Sequence, residues 1–412
     1  MRPGAAPGRI LIVGGGMAGL GAALACAQAR PDSDIALLER APSFSEVGAG
    51  IQLGPNAVRV LHDWGLRDPL AAVAAFPQRL RVRAAHGGDE LGELALGQRA
   101  RQRYGEPYAT IHRADLHGLL LAALQDATGV ALHNGEAVVA HAERADGVEV
   151  RTAAKRCWMA DVLLAAEGVW SPTRQRLLGD GRPVFSGHLA YRGLVRMADL
   201  PARLRASEVV AWLGPRLHGV HYPVRAGQWL NVVMVVEGPL PPTDAEGWDH
   251  EAHAVHLRAA LGPVHADLEA VLHAVLHWRL WPLHAREPMR GPHEHTRGRV
   301  ALLGDAAHPM RPYLAQGAAM ALEDAWALGR LLRAQPAGQV DWSGWLAQWA
   351  QGRWARNARV QARSRRNGVV FHARGLMRWG RDRAMALLGE RLLDQPWLYD
   401  GPPDPLAPRG AF

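Results

Sequence analysis

Residues 9–19 read Arg9-Ile10-Leu11-Ile12-Val13-Gly14-Gly15-Gly16-Met17-Ala18-Gly19, and this run decides the fold class. Four consecutive apolar residues after Arg9 suit a strand buried on both faces, as in a parallel sheet. Gly14 permits a tight turn, Gly16 lets the backbone approach a pyrophosphate at a helix N-terminus, and Gly19 allows that helix to pack closely on the strand. An Ala-rich helix follows, then a second apolar strand, Ile35-Ala36-Leu37-Leu38-Glu39. Glu39 falls 20 positions past Gly19, where an acidic side chain would hydrogen-bond a ribose hydroxyl. Strand, glycine turn, helix, strand and acid together predict a βαβ unit holding a dinucleotide.

Outward from this unit, Gly48-Ala49-Gly50-Ile51-Gln52 forms a loop before a helix from about Pro55, and Ile111-His112-Arg113-Ala114-Asp115 opens another helix. Residues 136–165 alternate like a β-meander ending in the apolar strand Val162–Ala166. From about 181 to 282 period-two patterns dominate, at Ala190–Gly193, Val209–Leu213, Gly219–Val224 and Leu230–Val236, with helical spacing over 249–277. The strand Arg299–Leu303 then returns, followed by Gly304-Asp305-Ala306-Ala307-His308-Pro309 and a helix from about Gly317 to Leu332. The expectation is an α/β chain: a Rossmann-like dinucleotide-binding domain (1–180 and 283–340), an inserted antiparallel-sheet domain (181–282) and C-terminal helices (341–412). The Arg-rich stretch Arg353–Arg366 is expected to be a solvated helix face or part of a dimer contact.

A chain of 412 residues with 48% hydrophobic residues can fill two joined cores. Its net charge of +8 rests almost wholly on arginine, Lys155 being the sole lysine. No basic run interleaves with aromatics in a nucleic-acid module, so nucleic acid is not an expected partner. Cys26 and Cys157 show no pairing or metal-ligand pattern, which suits a reducing, cytoplasmic compartment, and no metal is expected. Residues 10–29 could pass for a secretory signal, but the placing of the glycines favours the dinucleotide turn. No apolar run reaches the roughly 18 residues of a membrane span, so stable membrane association is not expected.

With only one glycine fingerprint, one nucleotide is resident and a second binds transiently. An aspartate at a strand end, Asp305, can hydrogen-bond a polyol hydroxyl. Gln316-Gly317-Ala318 begins a helix whose positive end can face the developing anion of a reduced flavin. Pro309 and Pro312 would hold the intervening loop extended beside a flat ring. An ordinary strand-loop-helix connection is the alternative.

On these residues the sequence resembles the group A flavoprotein monooxygenases, the single-component FAD-dependent aromatic hydroxylases. The shared runs are the glycine turn, Gly304–Pro309, Leu314-Ala315-Gln316-Gly317-Ala318-Ala319-Met320-Ala321-Leu322-Glu323-Asp324, Glu46–Ala57, Tyr108–His117, Val220-His221-Tyr222-Pro223 and Gln395-Pro396-Trp397-Leu398-Tyr399. They point to the branch acting on hydroxybenzoates, salicylate and hydroxynicotinate. The resemblance implies that Glu39 and Arg40 meet the adenosine ribose, Gly50 and Arg113 the FAD, and Asp305 the ribityl chain. A helix-entry salt bridge with Asp115 is the alternative for Arg113. The family's middle Asp-Gly appears here as Glu167-Gly168, a carboxylate one methylene longer, at a place where both FAD and nicotinamide are served.

The chemistry so implied is reduction of FAD by NADH or NADPH, O₂ addition to give a flavin C4a-hydroperoxide, and attack on the ring of a small aromatic acid. A base must deprotonate the ring hydroxyl. His218, Val220 and Tyr222 share one face of a regular strand while His221 points the other way, and positions 218 and 222 match a substrate-contacting His and Tyr of the hydroxybenzoate branch. His218 and Tyr222 are therefore the catalytic candidates, unless Gly219 marks a bulge that changes the phase or the cluster is only sheet surface. Gln52, Pro312 and Tyr313 complete the substrate candidates. Two other readings stay open: the same flavin acting on a non-aromatic or polycyclic substrate, and an FAD-binding protein without turnover. The oligomer is not fixed by sequence, and a homodimer is left open.

Overall fold

The computed structural model describes residues 8–44, 49–127, 129–241, 250–252, 254–336 and 340–407. The glycine-rich unit forms as its pattern requires. Strand Arg9–Val13 runs parallel between Asp34–Glu39 and Val162–Ala165. Outside these lie Val130–Asn134 on one side and Val300–Leu302 with a short antiparallel Thr296–Arg297 on the other, making a six-stranded sheet. Helix Met17–Ala29 covers it and is buried from Met17 to Ala27. It packs against helix Gly317–Arg333 so closely that a Cβ on Gly329 would stand 2.8 Å from the Ala25 carbonyl oxygen. Small residues on both helices permit that approach.

The predicted meander is a separate three-stranded antiparallel sheet, Val138–Arg144, Gly147–Thr152 and Cys157–Ala160. The second large sheet has eight strands in the order His250–Ala252, Trp278–Ala285, Val184–Arg196, Trp229–Glu237, Leu217–Val224, Val209–Gly214, Arg79–Ala84 and Glu90–Ala95. The expected limits 181 and 282 do not enclose it. Two strands come from the N-terminal region, joined by a parallel pairing of Val209–Leu213 with Leu80–Ala84, and Trp278–Ala285 runs past 282. Helical spacing over 249–277 resolves into a strand at His250–Ala252 and helices Ala254–Leu261 and Ala266–Ala274. One face of this sheet (Tyr191, Trp212, Val232, Met234) buries against those helices through Leu257, Leu268 and Val271. The other face, carrying Ala190, Val233, Val235 and Trp281, turns to the first domain.

The C-terminal region is helical, led by Trp342–Phe371. Trp345 and Trp349 are fully buried and donate their indole N–H groups to the Leu328 and Asp324 carbonyls at 3.1 and 3.0 Å. The expectation of a solvated Arg face over 353–366 is corrected at Arg353 and Arg356. Arg353 is 3% exposed. It meets Glu323 at 2.9 Å and Asp324 at 2.8 Å, and Arg356 meets Glu323 at 2.7 Å. Two buried carboxylates on the neighbouring helix draw these guanidinium groups inward, while Arg365 and Arg366 stay exposed.

Candidate active site

Strands Arg9–Val13, Val162–Ala165 and Val300–Leu302 are parallel, so the loops leaving their C-terminal ends converge at one crevice, the usual ligand position in such sheets. Gly16, Met17, Ala166, Gly168, Trp170 and Asp305 from those loops line a cavity of about 300 Å³. Helix Gly317–Arg333 points its N-terminus into the same space through Gln316, Gly317 and Ala318. The second sheet closes the far wall with Arg192, His218, Val220, Tyr222, Val233 and Trp281.

The glycine turn does what its spacing demands. Gly14 has φ +101, and a Cβ there would stand 2.4 Å from the Ala166 carbonyl oxygen. A Cβ on Gly19 would stand 1.8 Å from the Gly14 oxygen. The Glu39 carboxylate accepts from the Gly15 and Ala41 amides at 2.6 and 2.8 Å, anchoring strand end to turn, and Arg40 beside it is exposed.

Fit to a flavin dinucleotide is seen in what faces the cavity. Two helix N-termini present amide groups without intrahelical partners, as a pyrophosphate and an electron-rich ring require. No described residue donates a hydrogen bond to the Asp305 carboxylate, and burial pushes its pKa up, against the pull of His308 and Arg113. A carboxylate so placed calls for a hydroxyl donor, which a polyol chain supplies. Past Gly317, a Cβ would meet only Asp305, at 4.0 Å. Arg113 and Gly50 also line the cavity.

Glu167 sits differently from expectation. Its neighbours Ala166 and Gly168 line the cavity and its own side chain does not. The carboxylate instead accepts from the Ser171 hydroxyl at 2.5 Å and the Thr173 amide at 3.2 Å, at the start of helix Pro172–Leu178. There the unsatisfied N–H groups and the dipole favour an anion. Burial pushes its pKa up while those hydrogen bonds oppose. The extra methylene lets it reach its own following helix.

Strand Leu217–Val224 pairs without a bulge on both sides, so the period-two phase holds. His218, Val220 and Tyr222 face the cavity. His221 is buried on the opposite face near Trp212, its pKa lowered to about 4 by burial and by Arg83. Burial pushes the His218 imidazole well below its ordinary value and the Tyr222 hydroxyl well above, with Arg192 and Gln52 opposing. At neutral pH His218 is thus an uncharged acceptor and Tyr222 a donor. Gln52 lines the cavity, its Oε1 held by the Tyr108 hydroxyl at 2.7 Å. Pro312 lines it too. Tyr313 does not: it stands behind His218, ring on ring at 4.8 Å in a T arrangement, with its hydroxyl on His188.

Sequence reading missed Arg192. It shares the cavity face with Ala190, pairs across strands with Val233, and lies over the Trp281 ring at 3.4 Å. Its signal was a cation in phase with the apolar Ala190 and Leu194 of the same strand. Of the quoted runs, Glu46, Val47 and Gly48 lie outside the described residues. Among the described residues, no helix is long and apolar enough to cross a membrane.

Comparison with known proteins agrees with this geometry. A family model described as an FAD binding domain matches residues 8–364. The chain is 38% identical to 3-amino-4-hydroxybenzoate 2-monooxygenase of Streptomyces platensis, over 95% of each protein. It is 37% identical to 3-hydroxybenzoate 6-hydroxylase of Klebsiella oxytoca, over 90% of each. A solved salicylate hydroxylase substrate complex superposes with a TM-score of 0.79 at 27% identity, over 96% of both chains. Fold, cavity and kinship together make this chain a member of the FAD-binding-domain family, among the group A flavoprotein monooxygenases.

Proposed function

We propose that this chain is an FAD-dependent monooxygenase that hydroxylates a small aromatic acid bearing a ring hydroxyl, with NADH or NADPH as reductant. The observation that carries the reading is one shared wall. A neutral histidine, a tyrosine hydroxyl and an arginine project from one sheet face into the crevice that also meets Asp305 and the Gln316–Ala318 helix end. Relatives named for hydroxybenzoates support the substrate class. Bound FAD would supply the redox chemistry, hydride acceptance from the nicotinamide and activation of O₂. Asp305, Arg113 and the two helix N-termini would hold it, with Glu39 at the adenosine end.

The chain's own residues bind, orient and ionise the substrate. Arg192 takes its carboxylate, a charge-assisted contact strengthened by the low dielectric of the cavity. His218 Nε2 accepts the ring-hydroxyl proton, raising electron density at the carbons ortho and para to that oxygen. Tyr222 donates to the same end of the ring, and Val220, Val233, Val235 and Trp281 exclude water.

His218→Ala tests this. FAD content and ligand-stimulated nicotinamide oxidation should persist while hydroxylation falls by about 10²–10⁴-fold, as for loss of one general base, and H₂O₂ takes up the difference. His221→Ala, on the opposite face, should do much less. Full coupling of product to nicotinamide in His218→Ala would remove His218 from the role.

A further inference from the structure

His218 is 7% exposed, so a proton taken from the substrate needs a way out. Behind it lies a second, surface cavity of about 390 Å³, lined by His188, Glu237, Arg311, His372 and Arg374. One hydrogen-bonded line joins the two cavities. His218 Nδ1 lies 2.8 Å from His372 Nε2, and His372 Nδ1 lies 3.3 Å from Glu237 Oε1. Both histidines are buried, and the line reaches solvent at Glu237, whose side chain is 26% exposed.

We infer that His218, His372 and Glu237 form a proton relay that carries the substrate's ring-hydroxyl proton from the active cavity to the surface cavity, with His372 as a positioning residue. The inference rests on His218 being the base.

Direction comes from Glu237. Burial opposes its ionisation, but the hydrogen bonds from Arg216 (3.0 Å) and His372 outweigh this and hold its carboxyl below the usual range. An ionised carboxylate only accepts, so His372 Nδ1 carries the proton and His372 Nε2 is a lone pair. That lone pair requires His218 Nδ1 to carry a proton, which leaves His218 Nε2 as the acceptor facing the cavity. The tautomer needed for a base is thus set from the surface.

The protons balance. As the substrate oxygen gives its proton to His218 Nε2, the Nδ1 proton passes to His372 Nε2, and the His372 Nδ1 proton passes to Glu237 or to water beside it. No imidazolium is left in the low-dielectric interior, where its charge would be costly. When the product oxygen is re-protonated, the same steps run backward and restore both tautomers. The geometry is braced. His188 stacks on His372 at 4.6 Å with planes 8° apart, its Nδ1 engages the Tyr313 hydroxyl, and Tyr313 packs edge-on against His218.

The test is stopped-flow absorbance of FAD-loaded protein mixed with 3-hydroxy-4-nitrobenzoate, whose phenolate absorbs visible light, at a pH below the probe's own pKa and without nicotinamide. Wild type should ionise the probe on binding. His372→Ala should keep FAD and bind the probe but ionise it about tenfold or more slowly, and added imidazole, entering through the surface cavity, should restore the rate. Glu237→Gln should fall between the two. A wild-type rate in His372→Ala, or a deficit that imidazole leaves untouched, overturns the relay. His218→Ala at the wild-type rate, or a wild type that never ionises the probe, instead overturns the assignment of His218 and the relay with it.

Discussion

Arg353→Met gives the most quantifiable perturbation, because it removes one cation from a closed buried group. Arg353 and Arg356 face Glu323 and Asp324, and both carboxylates are fully buried. Breaking a buried ion pair by deleting one partner costs about 3–5 kcal/mol. Here neither acid is stripped bare. Glu323 keeps Arg356 and Asn56, and Asp324 keeps His308 at 2.5 Å and Asn357 at 3.0 Å. The low end, about 3 kcal/mol, therefore applies. With an unfolding entropy of about 2.1 cal/mol/K per residue, a chain of 412 residues changes by ~0.9 kcal/mol/K, so Tm should fall by ~3 °C. Urea unfolding and thermal scans of FAD-saturated protein, each with and without Asp324→Asn, would measure it. Neutralising Asp324 in the Arg353→Met background should recover part of the loss, since the sites share partners. Stability within about 0.5 kcal/mol of wild type would show that water reaches these charges.

Arg192→Met should raise KM for the aromatic acid by about 10- to 150-fold, the equivalent of 1.5–3 kcal/mol for a charged hydrogen bond, while FAD affinity holds. An unchanged KM would place the carboxylate elsewhere. Stability should decline as pH falls from about 6.5 toward 4. Burial lowers His221 and His295 to about 4 from about 6.5 in the unfolded chain, so the unfolded state binds more protons across that window. A urea midpoint flat over this range would mean those rings are hydrated.

The βαβ unit was legible because its signals are local: apolar runs, three glycines, one acid at a fixed distance. The phase of Leu217–Val224 was legible for the same reason, and it separates His218 from His221. What stayed hidden depends on distant partners. Strand Arg79–Ala84 alternates arginines and Glu90–Ala95 carries Glu90 and Glu93, so both look like surface, yet a parallel pairing of the first with Val209–Gly214 places them in the second sheet. Arg353 and Arg356 read as a solvated face because the carboxylates that bury them lie on another helix, some 30 residues away. His372 gave no signal at all, since its partner His218 is 154 positions away. Glu167 looked like a longer replacement at the cofactor, and its target is the helix that follows it.

The reaction assigned to this chain is oxygen insertion from O₂ into a small hydroxylated aromatic acid. Purified, FAD-loaded protein incubated with NADH or NADPH under ¹⁸O₂ and a panel of hydroxybenzoates and hydroxypyridine carboxylates, followed by mass spectrometry, tests it most directly. At least one acid should accelerate nicotinamide oxidation and yield a product that carries a single added ¹⁸O atom. Acceleration by none of them, or a product whose added oxygen comes from water, would contradict it.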